Sequence, residues 1–316
     1  MKRVIVAVVA ALIVVLCRAQ DSQTVLNFLR LPVSAHVAAL GGDNITLVED
    51  DASLLFHNPA LISGVTNNTI SLNAMTYMEG ATAASASFVR AVGEKATWSA
   101  EAQLMSYGSM REMNADGYQT GTFSPKDIAV GGTFAYVLGG RFVGGITAKM
   151  VASYIGNYSS LAAAVDLGVN YYDDVRQWSL SAVARNLGGQ LSAYEDDFER
   201  MPLDLQVGVS KRLVGSPLRF SLTMVRLNDW THGIGKHIVV GADLLLTKQF
   251  YVALGYNGLR ASEMKISEDD GSSTHGAGLS IGAGMQLQRI KLHLAYARYH
   301  VSTSSLLINL SYSLNK

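Results

Sequence analysis

Cysteine is almost absent from the 316-residue chain: its single thiol is Cys17, so the sequence holds neither a disulfide framework nor a cysteine-ligated zinc site. Charge is scarce as well. Lys, Arg, Asp and Glu make up 16% of residues, 25 basic against 25 acidic, where an ordinary soluble domain is about a quarter charged. With no basic excess to neutralise phosphates, nucleic acid is disfavoured as a partner. With 49% hydrophobic residues and a mean hydropathy of +0.20, the composition is not that of a disordered chain. Beyond the first 20 residues no run of about 18 consecutive apolar residues occurs, which removes a transmembrane helix. A Gly-x-Ser-x-Gly nucleophile elbow and a phosphate-cradling glycine loop are also missing. His232 and His237 lie five apart in one loop without an acid between them, a poor basis for a metal site. The sequence therefore predicts no enzyme, no catalytic residues, no cofactor and no metal.

What is present begins with Lys2-Arg3, the unbroken apolar run Val4–Leu16 and Cys17-Arg18-Ala19-Gln20. A basic start, a short apolar core and a small residue at the cleavage position read as a secretory signal over 1–19. A lipoprotein signal is not supported, because Leu16 precedes Cys17 where a small residue is expected. Glycine (30) and tyrosine (14) are plentiful.

From Thr69 onward the pattern is alternation with period two, the mark of strands with two unlike faces. Leu205, Val207 and Val209 alternate with Asp204, Gln206 and Gly208, and Leu306, Ile308, Leu310 and Tyr312 alternate with Leu307, Asn309 and Ser311. About 14 such segments fit, each of roughly the length of a tilted membrane-spanning strand. Examples are 69–77, 126–138, 176–187, 218–228 and 304–314. Short links such as Gly93-Glu94, Gly139-Gly140 and Lys248-Gln249 alternate with longer ones such as Gly108–Pro125, Gly188–Met201 and Gly258–Gly276, the sidedness of outer-membrane barrels. The expected fold is all-β: a 14-stranded antiparallel transmembrane β-barrel over 69–316. Because lipid offers no hydrogen bonds, such a sheet has to close on itself. The expected location is the outer membrane, with both termini periplasmic. A secreted β-sandwich is the competing architecture. Tyr77, Trp98, Tyr107, Tyr136, Tyr154, Trp178, Tyr256 and Tyr299 near strand ends suit a membrane–water boundary or ordinary strand packing.

Residues 20–68 do not alternate and read as an N-terminal hatch inside the barrel. Asp50 or Asp51 is placed to cap a short helix through Phe56, ended by Pro59. The stretch Arg30, Ala35, Ala39-Leu40-Gly41-Gly42, then Asp50-Asp51-Ala52 to Asn58-Pro59-Ala60, resembles the N-terminal pattern of the PorV/PorQ family of fatty-acid-transporter-like outer-membrane barrels. The resemblance is sharp over about 30–60 and architectural over the remainder. It implies a 14-stranded barrel with an N-terminal hatch and a component of the type IX secretion system of Bacteroidota. The partners implied are a PorZ-like protein, with PorU and PorV in a cell-surface attachment complex that joins secreted cargo to lipopolysaccharide, and the lipid bilayer itself. A transporter of hydrophobic compounds such as fatty acids, and a PorV-like cargo shuttle, are the alternatives; the former predicts an apolar tunnel leading to a kink in the barrel wall.

Three groups of residues are candidate sites. The hatch motif, Gly41, Gly42, Asp50, Asp51, Asn58, Pro59 and Ala60, is read as structural. Glu195, Asp196, Asp197 and Glu199, with Glu268, Asp269 and Asp270, are either solvated loop or the docking surface for a partner. Asp166, Asp204, Asp243 and His293 are aimed into the lumen by their strand registers. There they need cations such as Lys149, Arg185, Arg212 or Lys291.

Overall fold

The computed structural model describes residues 24–314 except 79, 231–232, 265, 269–270, 274–275 and 301–302, and leaves out the side chains of 266–268 and 271–273. The predicted signal segment, His232, Asp269, Asp270 and the side chain of Glu268 thus lie outside the described residues.

Strand alternation translates directly into a closed sheet. In chain order the strands are β1 (Thr69–Thr76), β2 (Thr82–Val92), β3 (Ala96–Ser106), β4 (Met110–Met113), β5 (Gln119–Phe123), β6 (Lys126–Gly139), β7 (Phe142–Ile155), β8 (Tyr158–Asp173) and β9 (Trp178–Ser192). They continue with β10 (Asp204–Arg212), β11 (Leu218–Met224), β12 (Ile238–Leu245), β13 (Phe250–Asn257), β14 (Ile266–Glu268), β15 (Gly271–Ser273), β16 (Leu279–Gln286), β17 (Ile290–Ala297) and β18 (Ser305–Ser313). β4 with β5 and β14 with β15 form separate hairpins in two long links, and the other 14 strands close an antiparallel barrel. The seam between β1 and β18 runs from Thr69↔Ser313 to Met75↔Leu307. A side-chain ladder reinforces it: Asn309 Nδ2 donates to Ser71 Oγ at 2.8 Å and Ser311 Oγ donates to Ser71 Oγ at 3.0 Å.

The two faces differ as the alternation requires. On β18, Leu306, Ile308, Leu310 and Tyr312 point outward, while Ser305, Asn309 and Ser311 are fully buried. Leu72, Phe134, Leu254 and Ile281 are likewise exposed. A continuous apolar exterior of this kind has no place in water and matches a hydrocarbon surround. Trp98, Tyr136, Tyr154, Trp178 and Tyr256 lie on this outer face, but three of the predicted boundary aromatics do not. Tyr77 and Tyr107 pack against buried apolar clusters inside, Tyr107 also bonds Asp127 at 2.7 Å, and the Tyr299 ring lies under the Arg260 guanidinium.

The two largest departures from the periodic reading each have a local cause. β9 continues to Ser192, beyond the expected end at 187, because Asn186 adopts φ 60 and forms a bulge opposite Asp166, where the β8–β9 register shifts. One inserted residue reverses the phase of the alternation. β11 stops at Met224, short of 228, since Arg226 is also left-handed (φ 51) and its N–H turns to Asp204 Oδ1. The link Gly156-Asn157 is a two-residue turn on the side expected to carry long loops.

Residues 24–68 occupy the lumen. Val25 N–H donates to the Arg200 carbonyl at 3.1 Å, which places the described start of the hatch at the long-link end. Phe28 and Leu29 pack there with Met105, Val151 and Met201. The helix Ala35–Ala39 and Leu40 pack at mid-height against Tyr251, Ala253 and Ala295. Ala52, Leu55, Ile62 and Val65 pack against Val89 and Ala135 nearer the short-turn end, where Asn68 accepts from Leu314 N–H. The barrel begins and ends at the short-turn end, but the hatch enters from the opposite mouth.

Candidate functional site

The motif residues act where the hatch meets the wall, and the wall receives them with glycine. Gly41 and Gly42 take φ 106 and 100, a reversal that L side chains rarely adopt. Leu40 and Gly41 lie against the cross-strand pair Gly241↔Gly255, where a Cβ on Gly255 would collide with the Leu40 and Gly41 backbone, and Gly42 lies against Tyr299 and Arg260. Asn58 and Pro59 lie against a second pair, Gly145↔Gly168, where a Cβ on either glycine would strike Asn58 or Pro59. The two glycine pairs form notches in the lumen face.

Within the hatch, Asp51 caps the 3-10 helix Ala52–Phe56 by accepting from Ser53 N–H at 2.9 Å, and its other oxygen accepts from Ser34 Oγ at 3.1 Å. Pro59 does more than end that helix: it opens another, Pro59–Gly64, capped by Asn58, whose Oδ1 accepts from Ala60 N–H at 3.0 Å. Asn58 Nδ2 donates to the Ile45 carbonyl at 2.9 Å. His57 Nε2 accepts from the N–H groups of Val33 and Ser34, both at 3.3 Å. Burial, with Arg185 nearby, holds its pKa well below the usual range, so the imidazole is a neutral acceptor.

Ion contacts hold hatch and wall together. His36, fully buried, lies 2.7 Å from Asp243 Oδ1 through Nε2 and 2.9 Å from Glu49 Oε2 through Nδ1. Arg219 completes the ring, at 2.7 Å from both Glu49 Oε1 and Asp243 Oδ2. Two cations and two anions therefore cancel, one of each from hatch and wall. Burial alone would push the imidazole down, but Glu49 and Asp243 outweigh it and raise it to about 9; Glu49 is held well below the carboxylate range against its own burial by Arg219 and His36. The ring of His36 stacks on Tyr251 at 3.7 Å, and the Tyr251 hydroxyl bonds His293 Nδ1 at 2.6 Å. A second couple joins Asp50 of the hatch to Lys291 at 2.6 Å.

The four lumen candidates all face inward, yet they do not form one network. Asp243 and His293 belong to the His36 assembly. Asp166 pairs with Lys149 at 2.7 Å and accepts from Asn186 N–H at 2.6 Å, fixing the bulge. Asp204 accepts from Gln206 Nε2 and Arg226 N–H. Of the predicted cations, Arg185 donates instead to the Leu29 carbonyl at 2.8 Å, and Arg212 is exposed. His36, Glu49 and Arg219 were missed. A lone histidine within Ala35–Leu40 was the available signal, and Arg219 stands directly across from Asp243 in the register. Glu195, Asp196, Asp197 and Glu199 are all exposed, in a loop whose far end is tied down by buried Met201.

Above the hatch, at the long-link mouth, lies a cavity of about 370 Å³. Its floor is Arg30, Leu31, Gly42 and Asp43 of the hatch, and its walls include Asp204, Arg226, Asn257, Arg260, Glu263 and Tyr299. Arg260 is spent on main-chain carbonyls, donating to Ala277 and Gly278 at 2.8 and 2.9 Å. Asp43 accepts from Asn257 Nδ2 at 3.0 Å; loss of hydration, with the Asp204 charge, pushes its carboxyl up to about 6. The lining mixes these charges with the apolar Leu31, Pro32, Val225, Leu259 and Met264.

No family model and no curated protein sequence matches the chain. Solved structures do match its fold. TodX, the toluene transporter of Pseudomonas putida, superposes with a TM-score of 0.59 at 13% identity, covering 90% of this chain and 98% of that one. A FadL homologue of Pseudomonas aeruginosa gives 0.54 at 11% identity over 90% of this chain and 99% of the other. The monoaromatic hydrocarbon channel CymD gives 0.53 at 11% identity, with 91% and 99% covered. The chain thus has the fold of the FadL-type outer-membrane barrels.

Proposed function

We propose that the protein is a non-enzymatic outer-membrane barrel of the type IX secretion system, PorQ-like, with its short-turn end toward the periplasm. In this reading it anchors a PorZ-like partner of the surface attachment complex, with PorU and PorV, while cargo is joined to lipopolysaccharide. The observation that supports it best is a hatch fixed to the wall from mouth to floor. Gly41, Asn58 and Pro59 of the hatch motif sit in two glycine notches and three ion pairs join hatch to wall, which suits an anchor better than a conduit. Affinity purification of the tagged barrel from solubilised outer membranes is expected to recover a PorZ-like or PorU-like partner; recovery of the barrel alone contradicts the reading.

The second reading is a transporter of hydrophobic compounds. It is favoured by the fold shared with TodX and CymD and by the wall bulge at Asp166 and Asn186. It requires that deletion abolish uptake of an apolar solute, a result the anchor reading does not predict.

A further inference from the structure

A second cavity, of about 250 Å³, opens at the short-turn end between the hatch and strands β8 to β12. Its charges do not balance. Three cations line it, Arg212, Arg219 and Lys248, against one acid, Glu49. Glu49 is already engaged with Arg219 in the neutral ring that His36 and Asp243 complete. Arg212 stands directly across from Arg219 in the β10–β11 register, and like charges facing each other across strands are destabilising unless an anion lies between them. Neither Arg212 nor Lys248 is paired with an acid among the described residues. The turns beside them, 213–217 and 246–249, contain no acid, and Asp173 and Asp174 of the β8–β9 turn face Arg141. Two positive charges are therefore left over, both on exposed side chains that line the cavity.

We propose that this cavity binds a phosphate ester of a small hydroxyl-bearing group, with the Arg212 guanidinium and the Lys248 ammonium on its phosphate. The planar fork of arginine and the point charge of lysine both suit phosphate oxygens, and a cleft lined by one sign of charge concentrates their field. A phosphate monoester carries about two negative charges near neutral pH, as many as the cavity leaves uncompensated, whereas a single carboxylate supplies one. The remaining lining suits hydroxyl groups. Thr46, Tyr172, Ser210 and Thr247 bring hydroxyls of their own, beside the apolar Val48 and Leu245. Thr247 Oγ1 accepts from Gln249 N–H and Phe250 N–H, both at 3.0 Å, which leaves its own hydrogen for an outside acceptor. The cavity is periplasmic in the orientation proposed above, and it does not depend on the partner named there. A free phosphorylated solute and a phospholipid headgroup share this chemistry.

The test uses the purified, full-length mature barrel in detergent at neutral pH and fixed ionic strength. Broadening of the ³¹P line reads binding of glycerol 3-phosphate, a free monoester, and of glycerophosphoglycerol, the headgroup of phosphatidylglycerol. The expectation is saturable broadening of at least one ester, weakened about tenfold by Arg212→Gln and several-fold by Lys248→Gln. Lys95→Gln, in the β2–β3 turn at the same end but outside the cavity, leaves it unchanged. Which ester saturates distinguishes a free solute from a lipid headgroup. Heat-modifiable gel migration establishes that each variant is folded; should Arg212→Gln fail to fold, Lys248→Gln carries the test. Absence of saturation by either ester overturns the proposal, as does wild-type binding in the folded Arg212→Gln and Lys248→Gln variants. A loss in Lys95→Gln as large as in Arg212→Gln, or a tetraglutamate peptide that displaces the ester and binds more tightly, overturns it too.

Discussion

Replacing His36 with alanine breaks the ion ring at its only hatch-borne cation. The ring then holds Glu49 and Asp243 against a single Arg219, with one negative charge uncompensated beside a fully buried position. Two routes give the size of the effect. Removing one partner of a buried ion pair costs about 3–5 kcal/mol, and a histidine held at about 9 rather than about 6.5 in the docked hatch corresponds to about 3 kcal/mol of differential interaction. Their agreement sets the expectation: hydrogen exchange of hatch amides around 35–62 accelerates by about a hundredfold, while the barrel strands keep their protection. The sign of the pH dependence follows from the direction of the shift. Because the docked imidazole has the higher pKa, its contribution is complete below about 6.5 and is lost as pH rises through about 9. Wild-type hatch protection therefore falls on the alkaline side, and His36→Ala shows no such step. Restoring neutrality by pairing His36→Met with Asp243→Asn recovers part of the loss, since a buried pair is replaceable by uncharged groups of similar volume. Unchanged exchange in His36→Ala, or an alkaline step that persists in it, refutes the reasoning.

Three further outcomes are expected. Gly168→Val drives a branched side chain into Asn58 and Pro59 at a cost of about 1–3 kcal/mol or more, and limited proteolysis will show cleavage near 52–64 with the barrel still heat-modifiable. Asn58→Ala removes the cap on Ala60 and leaves the Ile45 carbonyl unpaired, lowering hatch stability by about 1–3 kcal/mol, read by the same exchange experiment. Reversing the exposed acids Glu195, Asp196, Asp197 and Glu199 to lysine, while keeping Arg200 and Met201, leaves the barrel folded and lowers partner co-purification; unchanged recovery would move the docking face elsewhere.

Much of this molecule is written in short-range pattern. Leu306, Ile308, Leu310 and Tyr312 alternate cleanly, and in the barrel they line the lipid face; period two survives wherever one side of a strand is apolar and the other packs on a plug. The pattern fails where the backbone inserts a residue, at Asn186, or turns left-handed, at Arg226, because neither event changes composition. Aromatic residues near strand ends carry no sign of which way they point: Trp98 and Tyr256 face out, whereas Tyr77, Tyr107 and Tyr299 turn in. The inward direction of Asp243 and His293 follows from register, but their partners are set by the hatch, which carries no period. His36 meets Asp243 across 207 positions of sequence, a contact that only the closed barrel creates. The glycine notches were hidden for a related reason: Gly145 and Gly168 become a pair only once β7 and β8 are in register.

The anchoring role is tested most directly by the distribution of the PorZ-like partner in a strain deleted for this barrel. The partner is expected to leave the cell envelope and accumulate in the medium, to return when the wild-type chain is restored, and to do so without change in the uptake of toluene or fatty acids. A partner that stays on the envelope of the deleted strain, while uptake of those compounds is lost, contradicts the account and favours a transporter.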